Sequence, residues 1–224
     1  MKDFRNKVAV ITGAGGGVGS ALAKQLAQRG SHLALVDISE PAIIKVADAI
    51  AGKGIKVSIH VVDITSKEQM AALPGQVLAE HGQVNMLINN AGITYQKSFA
   101  THSIEDWEKI VGINWWGVLY GCHYFLDALS AAGEAHIVNL SSMSAFAGLP
   151  GQTSYCATKA AVKLLSESMW AEMEKLNIGV TSIHPGAIKT DMIQATLKNS
   201  DDLEAAQRNY ELAQKIGVTP EPVS

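Results

Sequence analysis

The sequence predicts a doubly wound α/β fold, in which helices cover both faces of one parallel sheet as a three-layer α/β/α sandwich. Short runs rich in Val and Ile alternate with longer helical patterns along the 224 residues. The first two runs, KVAVIT and HLALVD, are almost continuously apolar, which is typical of strands covered on both faces. Because no linker or internal repeat divides the chain, we expect one domain over residues 1–224.

Six strands and five helices are expected, joined by right-handed crossovers. Each strand candidate is a short run that contains Val or Ile. The strands are placed at 7–12, 32–37, 56–62, 84–89, 136–140 and 180–184. The helices are placed at 18–29, 40–51, 67–80, 104–130 and 152–176.

Local signals mark where two of these helices begin and where one is interrupted. Ser39 stands at the N-cap of the second helix, with Pro41 shortly after it. Ser66 stands at the N-cap of the third, and Gln69 is placed to complete a capping box. A Pro-Gly pair at 74–75 falls inside the third helix, so we expect that helix to form two short pieces.

Composition and charge exclude several classes of protein. The net charge is −3 and the isoelectric point is near 6.2, so neither nucleic acid nor a membrane surface is an expected partner. The two cysteines, Cys122 and Cys156, form no CxxC pair or Cys/His cluster, which argues against a disulfide framework or a metal site. The first apolar run is too short for a signal sequence, and no run nears the roughly 18 residues of a membrane span. We expect a cytoplasmic protein.

A glycine-rich loop, TGAGGGVG at 12–19, lies between the first strand and the first helix. Glycines let the backbone approach a ligand closely, and free N–H groups at a helix start can bind a pyrophosphate. The spacing runs through Gly13, Gly17 and Gly19. Val18 stands where the commoner G-x-G-x-x-G pattern has its third glycine. A tightly packed turn is the alternative, but the flanking strand and helix favour nucleotide binding.

Asp37 closes the second strand, 18 residues after Gly19. A carboxylate at this position can accept both ribose hydroxyls of an adenosine, and it repels a 2′-phosphate. The next residue is Ile38, and neither it nor the glycine loop supplies an Arg or Lys for such a phosphate. The sequence therefore favours NAD over NADP. Asp37 could instead cap the next helix, although Ser39 could do so as well.

Tyr155 and Lys159 stand four positions apart in the fifth predicted helix, so their side chains share one face. In a helix of small and apolar residues, such a pair is either a satisfied structural contact or a proton-transfer device. Tyrosine has an ordinary pKa near 10 and becomes an effective base only when its surroundings favour the phenolate.

Seven short motifs carry a resemblance to a known family. They are TGAGGGVG at 12–19, DI at 63–64, NNAG at 89–92, Asn114 within GINWWG, NLSS at 139–142, YCATK at 155–159 and PGAIKT at 185–190. In these motifs the chain resembles the short-chain dehydrogenase/reductases, from residue 7 to about residue 222. The resemblance implies a Rossmann-type fold and an oxidoreductase that acts on a CH–OH group with a nicotinamide cofactor.

The resemblance assigns catalytic roles to four residues. Tyr155 is implied to be the acid/base, and Ser142, thirteen residues earlier, to hold the substrate oxygen. Lys159 is implied to bind the nicotinamide ribose and to lower the pKa of Tyr155. Asn114 is implied to interrupt its helix and to hold a water that links Lys159 to solvent. On the residues alone, Ser142 could simply cap the following turn, and Asn114 could be a polar kink residue.

The resemblance also implies where the cofactor is held. Val62 and Asp63 are expected beside the adenine, and residues 90–92 beside the adenosine ribose. Ile188 and Thr190 are expected at the nicotinamide carboxamide. The full set of implied cofactor contacts is Gly13, Gly17, Val18, Gly19, Asp37, Ile38, Asp63, Ile64, Asn90, Ala91, Gly92, Tyr155, Lys159, Pro185, Gly186, Ile188 and Thr190.

The loops that follow the strands suggest the substrate. Candidate pocket walls are 94–99, 143–152 and the segment after Thr190. Their large side chains are Tyr95, Phe99, Met143, Phe146, Leu149, Met192 and Ile193. Such walls suit a small apolar secondary alcohol or ketone, with Lys97 and Gln152 as candidate polar contacts. The helical pattern at 191–216 predicts a lid over the substrate.

Assembly is a further expectation from the family. The helices that carry Asn114 and Tyr155 commonly form a subunit interface in it, so a homodimer or homotetramer is expected. Candidate interface residues are Trp115, Trp116, Trp170 and the apolar stretch 164–169. After TPEPVS the family normally continues with another helix and a last strand, and we expect both to be absent here.

Two alternative functions stay open. A 3-oxoacyl-thioester reductase of lipid metabolism shares the catalytic set, but Asp37 weighs against its usual NADPH. A catalytically silent, NAD-sensing binding protein keeps the fold without turnover. The intact catalytic set argues against that alternative, and the shortened C-terminus argues slightly for it.

Overall fold

The computed structural model describes residues 3–186, 188, 200, 204, 207 and 211. Within these residues, six parallel strands form one sheet in the order β3-β2-β1-β4-β5-β6. The strands are β1 (Val8–Thr12), β2 (His32–Asp37), β3 (Val57–Val61), β4 (Met86–Asn89), β5 (Ala135–Leu140) and β6 (Ile178–Ile183). The doubly wound α/β prediction is confirmed, and each predicted strand lies within about two residues of its observed place.

Helices lie between the strands as the alternating pattern predicts. They are α1 (Gly17–Gln28), α2 (Glu40–Ile50), α3 (Lys67–His81), α4 (Ile104–Val111), α5 (Gly117–Tyr124), α6 (Leu126–Ala131) and α7 (Thr153–Met173). A π-helical turn, Gly112–Trp116, joins α4 to α5, and two 3₁₀ turns are Met143–Ala145 and Glu174–Leu176. β1 lies between β2 and β4, so the chain order reverses beside it and its carboxyl end opens a crevice.

Alternating residues of the central strands supply two separate cores. Val10 and Val36 face a core that includes Phe125 and the helices that follow β3, β4 and β5. Ile11 and Leu35 face the opposite core, against α1 and α2. Because both faces are covered, adjacent residues of one strand are all apolar, and this explains the continuous runs KVAVIT and HLALVD.

The third helix corrects one prediction. α3 runs without interruption from Lys67 to His81 with Pro74 inside it. Pro74 is buried beside Leu73, and Gly82 ends the helix with a φ of 74°. One missing N–H costs α3 a single hydrogen bond, and the burial of its inner face outweighs that loss.

The predicted caps form only in part. The Ser66 hydroxyl accepts a hydrogen bond from the N–H of Gln69 at 3.3 Å, as expected. The Gln69 side chain instead accepts from the N–H of Asp63 at 2.8 Å, so no reciprocal capping box forms. Ser39 is the N-cap residue of α2 but its side chain makes no capping hydrogen bond. Its own N–H donates to the Asp37 carboxylate at 3.0 Å.

The long predicted helix 104–130 is divided. The π-helical turn Gly112–Trp116 centres on Asn114, which agrees with the implied interruption at that residue. A second break occurs at Phe125, where α5 ends and α6 begins. Within the part of the chain described here, none of the helices combines the length and the apolar character that crossing a membrane requires.

A polar cluster at the sheet edge makes the stability of the fold sensitive to pH. The Ser58 hydroxyl hydrogen bonds with the Nε2 atoms of both His60 and His81, each at 2.8 Å. Burial, and then the charge of Lys56, lowers the pKa of His81 from 6.5 to about 4. Burial also lowers the pKa of His60. Between about pH 6.5 and pH 4 the unfolded chain therefore binds a proton at His81 that the folded chain does not.

We expect the stability that neutral His81 provides to be complete above pH 6.5 and to be lost as the pH falls toward 4. In His81→Gln, which cannot titrate, the midpoint of thermal unfolding should fall less between pH 7.5 and pH 5 than in the wild type. His123→Gln, at an exposed position on α5, is the matched control and should follow the wild type. An equal loss of melting temperature in His81→Gln and the wild type would contradict the assignment.

Candidate active site

The glycine loop turns sharply against the loop that follows β4. Gly13 has a φ of +64°, and a Cβ there would lie 2.8 Å from the Cα of Ala91. A Cβ on Gly19 would overlap the carbonyl oxygen of Gly13. Gly17 begins α1 and Val18 is partly buried in its first turn. The loop needs glycine at Gly13 and Gly19 for its own packing, and it places the start of α1 at the crevice.

Hydrogen bonds join this loop to the NNAG segment. The Asn90 side-chain amide donates to the carbonyl oxygens of Thr12 and Gly13, both at 3.0 Å. The Thr12 hydroxyl accepts from the N–H groups of Asn90 and Ala91 at 3.1 and 3.2 Å. The carboxyl ends of β1 and β4 therefore form one unit at the point where the strand order reverses.

Asp37 faces the glycine loop. Its Oδ2 accepts from the N–H of Gly15 at 3.0 Å and its Oδ1 from the N–H of Ser39, the N-cap residue of α2, and its contact with a ribose stays a prediction. Each carboxylate oxygen keeps a lone pair for a further donor, as a ribose diol would supply. Ile38 beside it is 68% exposed, at the rim of the crevice.

The DI motif separates into a surface residue and a core residue. The Asp63 carboxylate closes a turn by accepting from the N–H and the hydroxyl of Thr65 at 2.9 and 2.8 Å. Ile64 is buried in the core, where its side chain packs on Gly117. Since the Ile64 side chain is enclosed, only its backbone is left for the implied cofactor contact. Val62 is buried as well.

Ser142 and Tyr155 meet at the carboxyl end of β5. Ser142 follows the strand directly, and its hydroxyl accepts from the N–H of Ser144 at 3.1 Å. A hydrogen bond with the Ser142 side chain lowers the pKa of Tyr155, but burial raises it more. The resemblance implied a lowered pKa through Lys159. In the protein alone desolvation dominates, because it disfavours the phenolate.

Lys159 is 4% exposed, one turn along α7 from Tyr155. Its Nζ donates to the carbonyl oxygen of Leu140 at 2.7 Å and lies 5.7 Å from the centre of the Tyr155 ring. The Ser141 hydroxyl donates to the Lys159 carbonyl oxygen at 2.8 Å, which ties α7 to the end of β5. Burial lowers the pKa of Lys159 from 10.5 to about 8. The ammonium group is therefore shielded from water, and its hydrogen bond is to an uncharged carbonyl oxygen.

Asn114 connects three elements at the back of the site. It is fully buried, and its Oδ1 accepts from the N–H of Ile93 at 2.9 Å. Its Nδ2 donates to the Ile93 carbonyl oxygen at 2.9 Å and to the Thr158 hydroxyl at 3.2 Å. A Cβ on Gly92 would lie 3.2 Å from the Asn114 Oδ1 and 3.4 Å from the Lys159 Nζ. Asn114 is thus more than a polar kink, and the water relay implied for it stays a prediction.

The PGAIKT motif lies beside the same strand end where the structure describes it. The Met143 N–H donates to the Pro185 carbonyl oxygen at 3.0 Å, so Pro185 and Gly186 follow β6 next to Ser142. Ile188 is partly buried. Thr190 lies outside the described residues, as do Met192, Ile193 and most of the predicted lid 191–216. Glu204, Gln207 and Glu211 within that segment are helical.

The predicted pocket walls differ in exposure. Phe99, Met143, Phe146 and Leu149 are exposed apolar side chains, as a pocket rim requires. Tyr95 is instead buried, with its ring edge-on to that of His102 at 5.2 Å. Lys97 forms a 2.6 Å ion pair with Asp106, and this occupies the charge that was a candidate substrate contact.

Two buried amide side chains lie behind the site, Asn89 of the NNAG motif and Asn139 of the NLSS motif. Neither was among the predicted site residues. The Asn89 Nδ2 donates to the Asn139 Oδ1 at 2.8 Å, and the Asn139 Nδ2 donates to the Ser166 hydroxyl at 3.0 Å. These bonds join β4, β5 and α7 beneath the candidate catalytic residues. The NNAG and NLSS motifs draw attention to these two positions in the sequence, but only the fold shows that the two side chains are hydrogen bonded to each other.

The residues around the crevice are of the kinds that a dinucleotide site uses. Glycines stand where a Cβ would overlap backbone, a helix begins at the loop, and a carboxylate faces that loop. In the part of the chain that the structure covers, no group of three His, Cys, Asp or Glu side chains could hold a metal ion.

Sequence comparisons connect the chain to known oxidoreductases. The sequence model of the short chain dehydrogenase family matches residues 7–201. The chain is 37% identical to the putative oxidoreductase SadH of Mycobacterium tuberculosis over 90% of this chain and 74% of that protein. It is 36% identical to the cyclohexanol dehydrogenase of an Acinetobacter species over 85% of this chain and 76% of that protein. It is 34% identical to the 3-oxoacyl-[acyl-carrier-protein] reductase FabG of Chlamydia muridarum over 87% of this chain and 79% of that protein.

Solved structures share the fold over most of the chain. A short-chain dehydrogenase/reductase of Burkholderia phymatum in complex with NAD superposes with a TM-score of 0.87, at 30% identity, over 97% of this chain and 82% of that one. A metagenomic short-chain oxidoreductase in complex with NADP gives a TM-score of 0.78 at 27% identity, over 83% of this chain and 84% of that one. A nicotinamide dinucleotide is thus the shared ligand of these neighbours, in both its forms.

Proposed function

Because the chain belongs to the short-chain dehydrogenase family, we propose that it is an NAD-dependent oxidoreductase that interconverts an apolar secondary alcohol and its ketone. The observation that carries the proposal is the meeting of Ser142, Tyr155 and Lys159 at the end of β5, beside the crevice. When bound, NAD supplies the hydride acceptor of the oxidation, and its reduced form the donor of the reverse reaction.

The residues of the chain divide the remaining work. Ser142 holds the substrate oxygen by a hydrogen bond where negative charge develops. In the oxidative direction Tyr155 takes the hydroxyl proton as the carbonyl forms, and in the reductive direction it returns that proton. Lys159 sits one turn away as a buried cation, and its positive charge favours the phenolate during this transfer. Asn114 keeps Ile93 and Thr158 in place around Lys159.

The preference for NAD rests on Asp37. Its carboxylate faces the glycine loop through the N–H of Gly15, where the adenosine ribose is expected. A 2′-phosphate would meet this negative charge, with the exposed Ile38 next to it instead of an Arg or Lys. We therefore expect NAD to bind more tightly than NADP.

The substrate class follows from the rim of the crevice. Phe146 is held there by His184, with ring centres 4.8 Å apart, and by Lys163, whose Nζ is 5.3 Å from its ring. The exposed Met143 and Leu149 flank it on the same loop. These side chains favour an apolar substrate, and the similarity to a cyclohexanol dehydrogenase supports a secondary alcohol.

A 3-oxoacyl-thioester reductase is the second candidate. The similarity to a FabG protein favours it, and the same Ser142 and Tyr155 would serve its chemistry. Asp37 argues against the NADPH that such a reaction usually takes. The assignments differ in cofactor and in substrate, so one assay separates them.

Self-association and a reducing compartment complete the proposal. Trp116, Leu164 and Trp170 are exposed on the helices that were expected to form an interface, and Trp170 is 65% exposed. These large apolar surfaces support a homodimer or a larger homo-oligomer. Trp115 packs against the core instead.

Cys122 and Cys156 are both free and buried, which supports a cytoplasmic location.

A panel of alcohols and ketones tests the function. The panel contains apolar secondary alcohols, their ketones, primary alcohols and a 3-oxoacyl thioester, each with NAD(H) and with NADP(H), and NADH absorbance reports turnover. We expect turnover with apolar secondary alcohols and NAD. Turnover confined to the thioester with NADPH would establish the second candidate, and NAD binding without turnover on any substrate would indicate the silent NAD-sensing protein.

A further inference from the structure

A buried glutamine joins the loop after β4 to the loop that precedes α7. Gln96 is 6% exposed, and its Nε2 donates to the Pro150 carbonyl oxygen at 3.2 Å. Its Oε1 accepts from the Gln152 side-chain amide at 3.2 Å. Next to it, the Lys97 N–H donates to the Gly151 carbonyl oxygen at 2.9 Å. Three hydrogen bonds therefore fix residues 150–152 to this loop.

The absence of a side chain at Gly151 leaves room for the Gln96 amide. A Cβ on Gly151 would overlap the Gln96 Nε2, so the amide occupies the space that any other residue at 151 would need. Gly151 also has a φ of +77°, which L side chains rarely adopt. The turn at 150–152 and the amide of Gln96 thus depend on each other.

The start of α7 relies on this contact. Gln152 is the N-cap residue of α7, yet its side chain makes no capping hydrogen bond, because its amide binds Gln96. The Gln152 carbonyl oxygen accepts the first bond of the helix, from the Cys156 N–H at 2.8 Å. No acidic residue stands in the first turn of α7. The residues that lead into that turn are therefore held from outside the helix, by the loop after β4.

Tyr155 lies in that first turn, three residues beyond Gln152. We propose that Gln96 is a positioning residue for Tyr155: by holding the turn 150–152 it keeps the phenol within hydrogen-bond reach of Ser142. Gln96 touches neither the substrate nor the cofactor in this proposal. The inference rests on the proposed role of Tyr155 as the acid/base, and its test keeps the two ideas apart.

Gln96→Ala removes both hydrogen bonds of the amide. A displacement of about 1 Å at a reacting group costs on the order of 10²-fold, so we expect kcat to fall by about 10- to 100-fold. The Kd for NAD, from calorimetric titration, should change less than about twofold, because the glycine loop and Asp37 are untouched. The apparent pKa in the pH profile of kcat/KM should move upward, because a displaced Tyr155 loses the Ser142 bond that lowers its pKa. A merely structural role would lower the melting temperature without moving this profile.

Gly151→Ala tests the same contact from the other side. We expect it to lower kcat and to shift the pH profile as Gln96→Ala does. The double variant should lose less activity than the product of the two single effects, because the shortened side chain of Gln96→Ala makes room for the new methyl group. Gly52→Ala is the matched control for backbone strain: its φ is +76° and nothing lies within 4 Å of its Cβ. Its kcat and pH profile should equal those of the wild type.

Wild-type kcat and a wild-type pH profile in folded Gln96→Ala would overturn the proposal. Should that variant fail to fold, Gln96→Met removes both hydrogen bonds of the amide while keeping the length of the side chain, and it adds no charge. It should show the same upward shift and a loss of kcat, and an unchanged profile would again overturn the proposal. Failure of the underlying function appears differently, as full activity in Tyr155→Phe.

Discussion

Tyr155→Phe is expected to lower kcat by about 10²- to 10⁴-fold, the usual contribution of a positioned general acid/base. The substitution removes one hydroxyl and keeps the ring, so the packing of α7 should be preserved. NAD binding should stay within about twofold of the wild type, since the glycine loop and Asp37 lie on other elements. Initial rates with the best alcohol of the panel, together with calorimetric titration of NAD, measure both effects.

Tyr120→Phe is the matched control for the loss of a phenol. Tyr120 lies on α5, where its ring stacks on that of Trp116 and is partly buried against the core. Its rates should equal those of the wild type. Activity in Tyr155→Phe within about threefold of the wild type would remove Tyr155 from its role, and the proposed mechanism with it.

The paired substitution Asp37→Ser with Ile38→Arg is expected to reverse the cofactor preference. It removes the carboxylate that repels a 2′-phosphate and places a guanidinium where Ile38 is exposed. Hydrogen bonds to charged groups are worth about 1.5–3 kcal/mol, so the ratio of the two Kd values should change on the order of 10²-fold. The hydroxyl that Asp37→Ser introduces can accept from the N–H of Ser39, two residues further on, in place of the carboxylate.

Glu40→Gln controls for the negative charge that Asp37→Ser removes, because it takes away one negative charge at an exposed position at the start of α2. Its NAD/NADP preference should remain that of the wild type. Equal affinity of the wild-type protein for NAD and NADP, or no shift in the paired variant, would mean that the ribose is recognised elsewhere.

The fold could be predicted because the strands of a sheet buried on both faces have a strong signal. Val10 and Ile11 belong to opposite cores, and this arrangement leaves no polar residue in the run around them. The positions at which helices end or are interrupted have weaker signals in the sequence. Pro74 predicted a break that tertiary packing prevents, and Phe125 marks a break that no local signal announced.

The proposed catalytic set could be selected from the sequence because its residues stand in motifs of fixed spacing. What those residues do to one another depends on distances that a sequence does not contain. Burial raises the pKa of Tyr155 in the protein alone, although the sequence suggested the opposite from the nearby Lys159. Gln96 had no motif at all, and its importance became visible only when the fold placed it against Gly151.

The most direct test of the central claim is isotope transfer from the substrate to the cofactor. A secondary alcohol of the panel is labelled with deuterium on its carbinol carbon and incubated with the wild-type protein and NAD, and the reduced cofactor is examined by mass spectrometry. The proposed function predicts one deuterium in each NADH formed, an equal amount of ketone, and formation of both products about 10²- to 10⁴-fold more slowly in Tyr155→Phe. Unlabelled NADH, or the absence of ketone where NADH accumulates, would contradict it.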